Sequence, residues 1–237
     1  MRATDSEPGG SASPMRISRV RDEFESLSTS QLRDAAPARV AVSHWRLIRR
    51  GRQERLVGPV FPVQTANDML PVLQGVQACP PGWILVLENT SEKSEALAGE
   101  IVATAAVQQG LGGLVIKGAL RDTEEVAASN LPVWSTDVNI VSAKTAAQPA
   151  ASIPGMWPSG LSPMVNLSFR VGDWLIIDRD AAVTVRDAEI SAVFGAARLL
   201  AAREGMLLEA LRAGRRLDDI VGLDAYLRGE GPLAMEV

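Results

Sequence analysis

The 237-residue chain is poor in the side chains that build many catalytic centres: it has one cysteine, Cys79, and one histidine, His44. A lone cysteine excludes an internal disulfide framework and any cysteine-built zinc site. A lone histidine excludes every chemistry that needs two imidazoles. No G-x-S-x-G elbow accompanies His44, so a Ser–His–acid hydrolase is not expected. Gly110, Gly112 and Gly113 do not complete a dinucleotide fingerprint, and no phosphate-loop lysine follows them. No apolar run approaches the roughly 20 residues of a membrane span, and the N-terminus lacks a signal-peptide core. A cytoplasmic protein without membrane attachment is therefore expected. Aromatics are only 4%, and the five tryptophans are scattered, which suits core or interface positions. What these absences leave for any metal site is oxygen, and hence a hard cation such as Mg²⁺ or Mn²⁺.

Hydrophobic residues make up 46% and charged residues 22%, an ordinary globular balance. The net charge of -4 hides a split. Residues 1–58 carry 11 Arg against 7 acidic residues, and the remainder 13 basic against 21 acidic. Arg46, Arg49, Arg50, Arg52 and Arg55 form the basic cluster, beside Trp45. It reads as a solvated or intersubunit face rather than a nucleic-acid site, since nucleic-acid-binding domains are more basic overall.

Residues 1–15 are Gly, Pro, Ser and acidic residues without periodicity and are expected to be a disordered tail. Residues 16–237 are expected to form one domain. An amphipathic helix is expected over 20–35, with Ser30 capping its second part. A strand follows at 58–64, limited by its prolines, then a helix over 67–76 and a break at Pro80-Pro81-Gly82. Residues 83–88 (WILVLE) are a near-continuous apolar strand. A helix over 98–109 carries Ile101, Ala105 and Gln108 along one stripe, with Gly110 placed to end it. Residues 113–117 form the next strand, 123–129 a short helix, and 132–134 another strand. That alternation implies a parallel sheet. Residues 143–163 read as loops with short strands. A hairpin at 174–178 and 182–185 precedes a long amphipathic helix over 187–213, whose apolar stripe suits packing on a partner subunit.

The middle unit concentrates the chemistry. A helix of about 10 residues spans about 15 Å, and the following strand returns about 16 Å. The loop at 118–122 must then emerge beside Gly99 and Glu100, at the carboxyl edge of the sheet where α/β ligands bind. Amides of Glu100, Ile101, Val102 and Ala103 at the helix start can hold a carboxylate, and Gly99 lets it approach. Arg121 offers a bidentate fork. Asp122 and Glu100 offer oxygens to Mg²⁺ or Mn²⁺. Together these suit a small 2-oxo acid. Each also has a structural reading: Asp122 opens D-T-E-E, a capping box closed by Glu125, and Glu100 suits a helix start by its charge. Asp178 and Asp180 read as a solvated turn, and Cys79 as an inert buried thiol.

The run GEIVATAAVQQGLGGLVIKGALRD, followed by a short helix and LPVW, resembles the core of the RraA-like family. That family comprises class II 4-hydroxy-4-methyl-2-oxoglutarate aldolases, related oxaloacetate decarboxylases and the regulator of ribonuclease activity A. Gly99, Glu100, Ile101 and Val102 match its helix-start motif, and Gly118, Arg121 and Asp122 its G-x-x-R-D motif. The resemblance implies an α/β fold, a layered β/β/α sandwich with a partly parallel sheet and a long C-terminal helix, assembled as homotrimers or hexamers. It implies an Mg²⁺-dependent carbon–carbon lyase, an aldolase or decarboxylase working through a pyruvate enolate. Asp122 would bind the metal, and Arg121 the substrate and enolate. Glu100 would order a water on the metal for proton transfer, and the amides of Ile101 and Val102 would hold the pyruvyl carboxylate. The alternative it implies is a non-catalytic regulator of a ribonuclease or other protein. Lys117 stands where the aldolases often carry an acidic residue. Residues 135–146 lack the Arg-Gly often seen after that strand, leaving Lys144 as the local cation.

Overall fold

The computed structural model describes residues 12–145 and 169–232. Helix α1 (Pro14–Phe24) starts inside the stretch expected to be tail, because Ser13 accepts the Arg16 amide and Pro14 suits the first turn. It buries Ile17, Val20 and Phe24. The single helix expected over 20–35 is instead two. Helix α2 (Thr29–Ala35) is capped by Ser28, not Ser30, in a reciprocal box with Gln31. At the end of α1, Arg55 donates to the carbonyls of Phe24 and of Leu27, the latter at 2.9 Å, and so fixes the break.

The remaining elements, in chain order, are β1 (Val40–Val42), β2 (Ile48–Arg49), β3 (Leu56–Thr65), α3 (Met69–Ala78), β4 (Ile84–Asn89), β5 (Ala96–Ala98), α4 (Glu100–Gln108), β6 (Gly113–Leu120), α5 (Thr123–Ala128), β7 (Val133–Val138), β8 (Trp174–Ile177), β9 (Ala182–Val185), α6 (Ile190–Arg212), α7 (Leu217–Val221) and α8 (Leu223–Leu227). The strands join in the order β1-β9-β8-β3-β4-β6-β7-β2, with β5 alongside β6. Strands β3, β4, β6 and β7 run parallel, whereas β1, β9, β8 and β2 pair antiparallel. The sheet is thus mixed and partly parallel. Strand β3 belongs to both parts: residues 56–59 pair with β8 and residues 60–65 with β4. It runs straight through Pro59 and Pro62. Past Pro59 it has a strand neighbour on one side only, where a missing N–H is tolerated.

Both faces of the sheet are covered, as near-continuous apolar strands demand. One face buries Leu85, Leu87, Leu114 and Ile116, and further along Ile176 and Val183, in a core shared with α1, α3, α4 and α6. The other buries Val60, Val86, Val115 and Trp134 with Phe169, under Trp45 and Leu47. Cys79 is buried, and burial pushes its thiol up to about 12, the inert state expected of it. Helix α6 buries Ile190, Val193, Phe194 and Ala197, but its stripe then outruns the body: Leu208 is exposed and Leu200, Leu207 and Leu211 are half-buried. Residues 146–163 of the expected loop region lie outside the described residues, as do residues 1–11 of the expected tail.

One buried charge tests the packing. Glu88 is 0% exposed and pairs with Lys117, its register neighbour across β4 and β6, and the Lys117 ammonium sits 5.4 Å from the centre of the Trp45 ring. Removing one partner strands the other charge. Lys117→Met is therefore expected to cost about 3–5 kcal/mol in denaturant unfolding. The double variant Glu88→Gln, Lys117→Met should recover most of that loss; if it does not, packing rather than charge is the cause.

Candidate active site

The site forms where two strands end side by side. Strand β5 pairs with β6 through Ala96 to Ala119 and Ala98 to Leu120, and the Arg121 amide donates to the Ala98 carbonyl at 3.0 Å. Gly99 and Arg121 are the next residues of each, so they leave the sheet together. The helix-out, strand-back geometry predicts the same meeting. The agent is β5, a three-residue strand of which the sequence gives no sign: Ala98 is expected in the following helix and residues 96–97 in no element.

Gly99 is extended, so no unusual torsion calls for glycine there; space does. A Cβ on it would lie 2.3 Å from Asp122 Oδ2 and 3.0 Å from Arg121 Cγ. Asp122 itself is left-handed, at φ 54 and ψ 49, one of two non-glycine residues with positive φ among the described residues. Such a conformation carries a cost that the surroundings must impose. Its carboxylate makes no cap on α5, so the capping box with Glu125 does not form. Instead Oδ2 turns to α4, accepting the Glu100 amide at 3.2 Å and lying 3.4 Å from Arg121 Nε.

Two of the four amides expected to be free are therefore engaged. The Glu100 amide serves Asp122, and that of Ala103 donates to the Gly99 carbonyl at 3.0 Å. The amides of Ile101 and Val102 have no acceptor among the described residues and keep the positive end of the helix. The expected stripe of α4 is also corrected. Val102, Ala103 and Ala106 face the core, while Ile101 is 78% exposed at the edge of the α3–α4 contact.

A cavity of about 150 Å³ opens here, lined by Gly99, Ile101, Val102, Arg121 and Asp122. Glu100 is exposed beside it rather than lining it. The sequence reading misses Met69, Leu73 and Ser142, which complete the wall. Met69 and Leu73 stand four apart on α3, one turn on a common face; an apolar pair left at a helix start was the available signal.

Among the described residues no group of three or more His, Cys, Asp or Glu is arranged to hold a metal. The site offers one inward carboxylate, Asp122, with Glu100 nearby. That donor set fits Mg²⁺, which keeps several waters and takes one or two carboxylates plus substrate oxygens; it does not fit zinc.

The other candidates are used structurally. Arg49 pairs with Glu54 at 3.1 Å, Arg50 donates to the Ser135 hydroxyl at 2.9 Å, and Arg55 lies 4.8 Å from the Phe24 ring centre. Arg46, Arg52 and His44 are exposed. Asp178 is no solvated turn: burial alone would raise its carboxyl, but the amide and hydroxyl of Thr29 and the amides of Asp180 and Ala181 hold it below its ordinary range. It fastens the β8–β9 hairpin to the start of α2.

The family described as RraA-like, Aldolase/RraA, matches residues 29–184, more than half of the chain. The chain belongs to the RraA-like family. A family relative from Halalkalibacterium halodurans, named "Putative 4-hydroxy-4-methyl-2-oxoglutarate aldolase", is 25% identical over 175 residues, covering 73% of this chain and 78% of that one. The RraA-like fold is shared with a solved protein from Pseudomonas syringae pv. tomato, at TM-score 0.63 and 24% identity over 85% of this chain and 96% of the other. It is shared too with the RNA-processing inhibitor RraA from Thermus thermophilis, at TM-score 0.57 and 19% identity over 67% and 92%. Within the RraA-like match fall all of the cavity residues named above. No described helix is long and apolar enough to cross a membrane.

Proposed function

We propose that this RraA-like chain is a divalent-metal-dependent carbon–carbon lyase, cleaving 4-hydroxy-2-oxo acids or decarboxylating oxaloacetate to give pyruvate. The observation that carries this is Asp122, held left-handed with its carboxylate delivered to the start of α4 instead of capping α5. Asp122 would hold Mg²⁺ or Mn²⁺ with water completing the shell. When bound, the cation polarises the substrate's keto oxygen. The amides of Ile101 and Val102 bind the pyruvyl carboxylate at the positive helix end. The Arg121 guanidinium orients the keto group and stabilises the negative charge that builds on the pyruvyl fragment as the C3–C4 bond breaks. In retro-aldol cleavage the C4 hydroxyl loses its proton as the C4 carbonyl forms, and C3 is protonated to give pyruvate. In decarboxylation C4 leaves as carbon dioxide. Glu100, at the rim, holds the water through which these protons move.

The apolar row that α6 carries past the body supports assembly of copies into a trimer or hexamer, in a cytoplasmic setting. The alternative reading, a non-catalytic regulator gripping a protein partner through the Arg46–Arg55 cluster, is disfavoured because Arg49, Arg50 and Arg55 are engaged within the chain.

The test is pyruvate release from these substrates by purified protein with Mg²⁺. Activity should vanish with a chelator and return with metal. Arg121→Ala should lower kcat/KM by roughly 10²–10³, the scale of losing one charge-stabilising donor. If no pyruvate forms, and Arg121→Ala changes nothing, this reading fails.

A further inference from the structure

Away from Arg121 and Asp122, the cavity wall is carbon and a single hydroxyl. Met69 and Leu73 come from α3, Ile101 and Val102 from α4, the backbone edge from β5, and the hydroxyl from Ser142. Leu73 is 53% exposed and Ile101 78%, so apolar side chains also stand at the mouth. Arg121 is the one cation lining the cavity among the described residues, and it already faces Asp122 at 3.4 Å. The sequence offered Lys144 for a distal carboxylate. Its carbonyl accepts the Met69 amide at 3.2 Å and its backbone bridges to Asp68, but its side chain is exposed and outside the lining. A carboxylate pressed against Met69 and Leu73 would give up water and gain no donor. An alkyl group there gains by every methylene it buries. The cavity is about 150 Å³, a size that suits a short chain.

We propose that the substrate is a monocarboxylic 4-hydroxy-2-oxo acid with a short, neutral alkyl end. Dicarboxylates such as oxaloacetate and 4-hydroxy-4-methyl-2-oxoglutarate are disfavoured. This rests on the reading of the site given under Proposed function, with Arg121 and the α4 amides committed to the pyruvyl end.

The full chain with Mg²⁺ is assayed on 4-hydroxy-2-oxopentanoate, 4-hydroxy-2-oxohexanoate, 4-hydroxy-4-methyl-2-oxoglutarate and oxaloacetate. The expected kcat/KM is at least about tenfold higher for the two monocarboxylates, and roughly fourfold higher for the hexanoate than the pentanoate. Leu73→Arg should move the preference toward the dicarboxylates; Met69→Lys serves the same end if the first variant misfolds. Lys144→Ala should change the ratio by less than about twofold, because its side chain reads nothing. A second readout needs no turnover. 2-Oxopentanoate should raise the melting temperature more than 2-oxoglutarate at equal concentration. Equal or better use of the dicarboxylates, or an equal or larger shift with 2-oxoglutarate, overturns the inference. Silence on all four substrates with the expected order of shifts would overturn the lyase reading and leave the apolar subsite standing.

Discussion

Asp122→Asn is expected to lower metal-dependent pyruvate release by roughly 10³, while melting within a few degrees of the parent protein. The activity loss follows from charge. Asparagine keeps the size and accepts the Glu100 amide through its carbonyl, but it has no negative charge for the cation or for Arg121 at 3.4 Å. A cation's electrostatic help is worth several kcal/mol, and about 1.4 kcal/mol is tenfold in rate. The modest thermal effect follows from the backbone. At φ 54 and ψ 49 most residues are strained, but asparagine and aspartate enter this region most readily among side-chain-bearing residues. No cap is lost either, since the carboxylate makes none. Melting curves with and without millimolar Mg²⁺ separate the two effects: the parent should be stabilised by the ion and the variant not. An asparagine variant that keeps more than about a tenth of the activity would show that Asp122 is not the group that holds the metal.

Gly99→Ala should be nearly as damaging, for a steric reason. The extended backbone accepts alanine without strain, but the added methyl would lie 2.3 Å from Asp122 Oδ2. The carboxylate has to swing away from the α4 start, and Arg121 Cγ, at 3.0 Å, gives with it. Displacements near 1 Å in a catalytic group cost about 10² in rate, so kcat/KM should fall by roughly 10²–10³. Circular dichroism should remain that of the parent. Full activity in Gly99→Ala would mean that Asp122 and Arg121 work from positions other than those seen here.

Long elements with a single strong pattern were legible in the sequence. Strands β4 and β6 and the β8–β9 hairpin fall within a few residues of expectation, as does α6, because apolar runs and helical spacing declare themselves locally. Elements that exist through distant partners were not. Strands β1 and β2 are three and two residues long and are held by β9 and β7, far along the chain. Strand β5 is three residues that become a strand because β6 lies beside them. The outward turn of Ile101 depends on what packs across from α4, which spacing does not record. At the site, Gly99, Arg121 and Asp122 could be brought together on paper. The D-T-E-E run, however, fits a capping box equally well, and the left-handed backbone that decides between the two roles is one that aspartate enters readily but does not require. Met69 and Leu73 offered only the weak signal of an apolar pair at a helix start, which chemically resembles any core pair.

Strand β3 also governs how this molecule can be assembled in time. Its first four residues wait for β8, which is made after β4, β6 and β7, while its remainder pairs with β4 as soon as that strand is made. Residues 56–59 therefore present an unpaired edge through synthesis until the hairpin arrives. Contacts so far apart in sequence slow folding, and an unpaired edge is where chains stick to one another. Pro59, the last of those four residues, has no N–H to offer and blunts the edge in the interval.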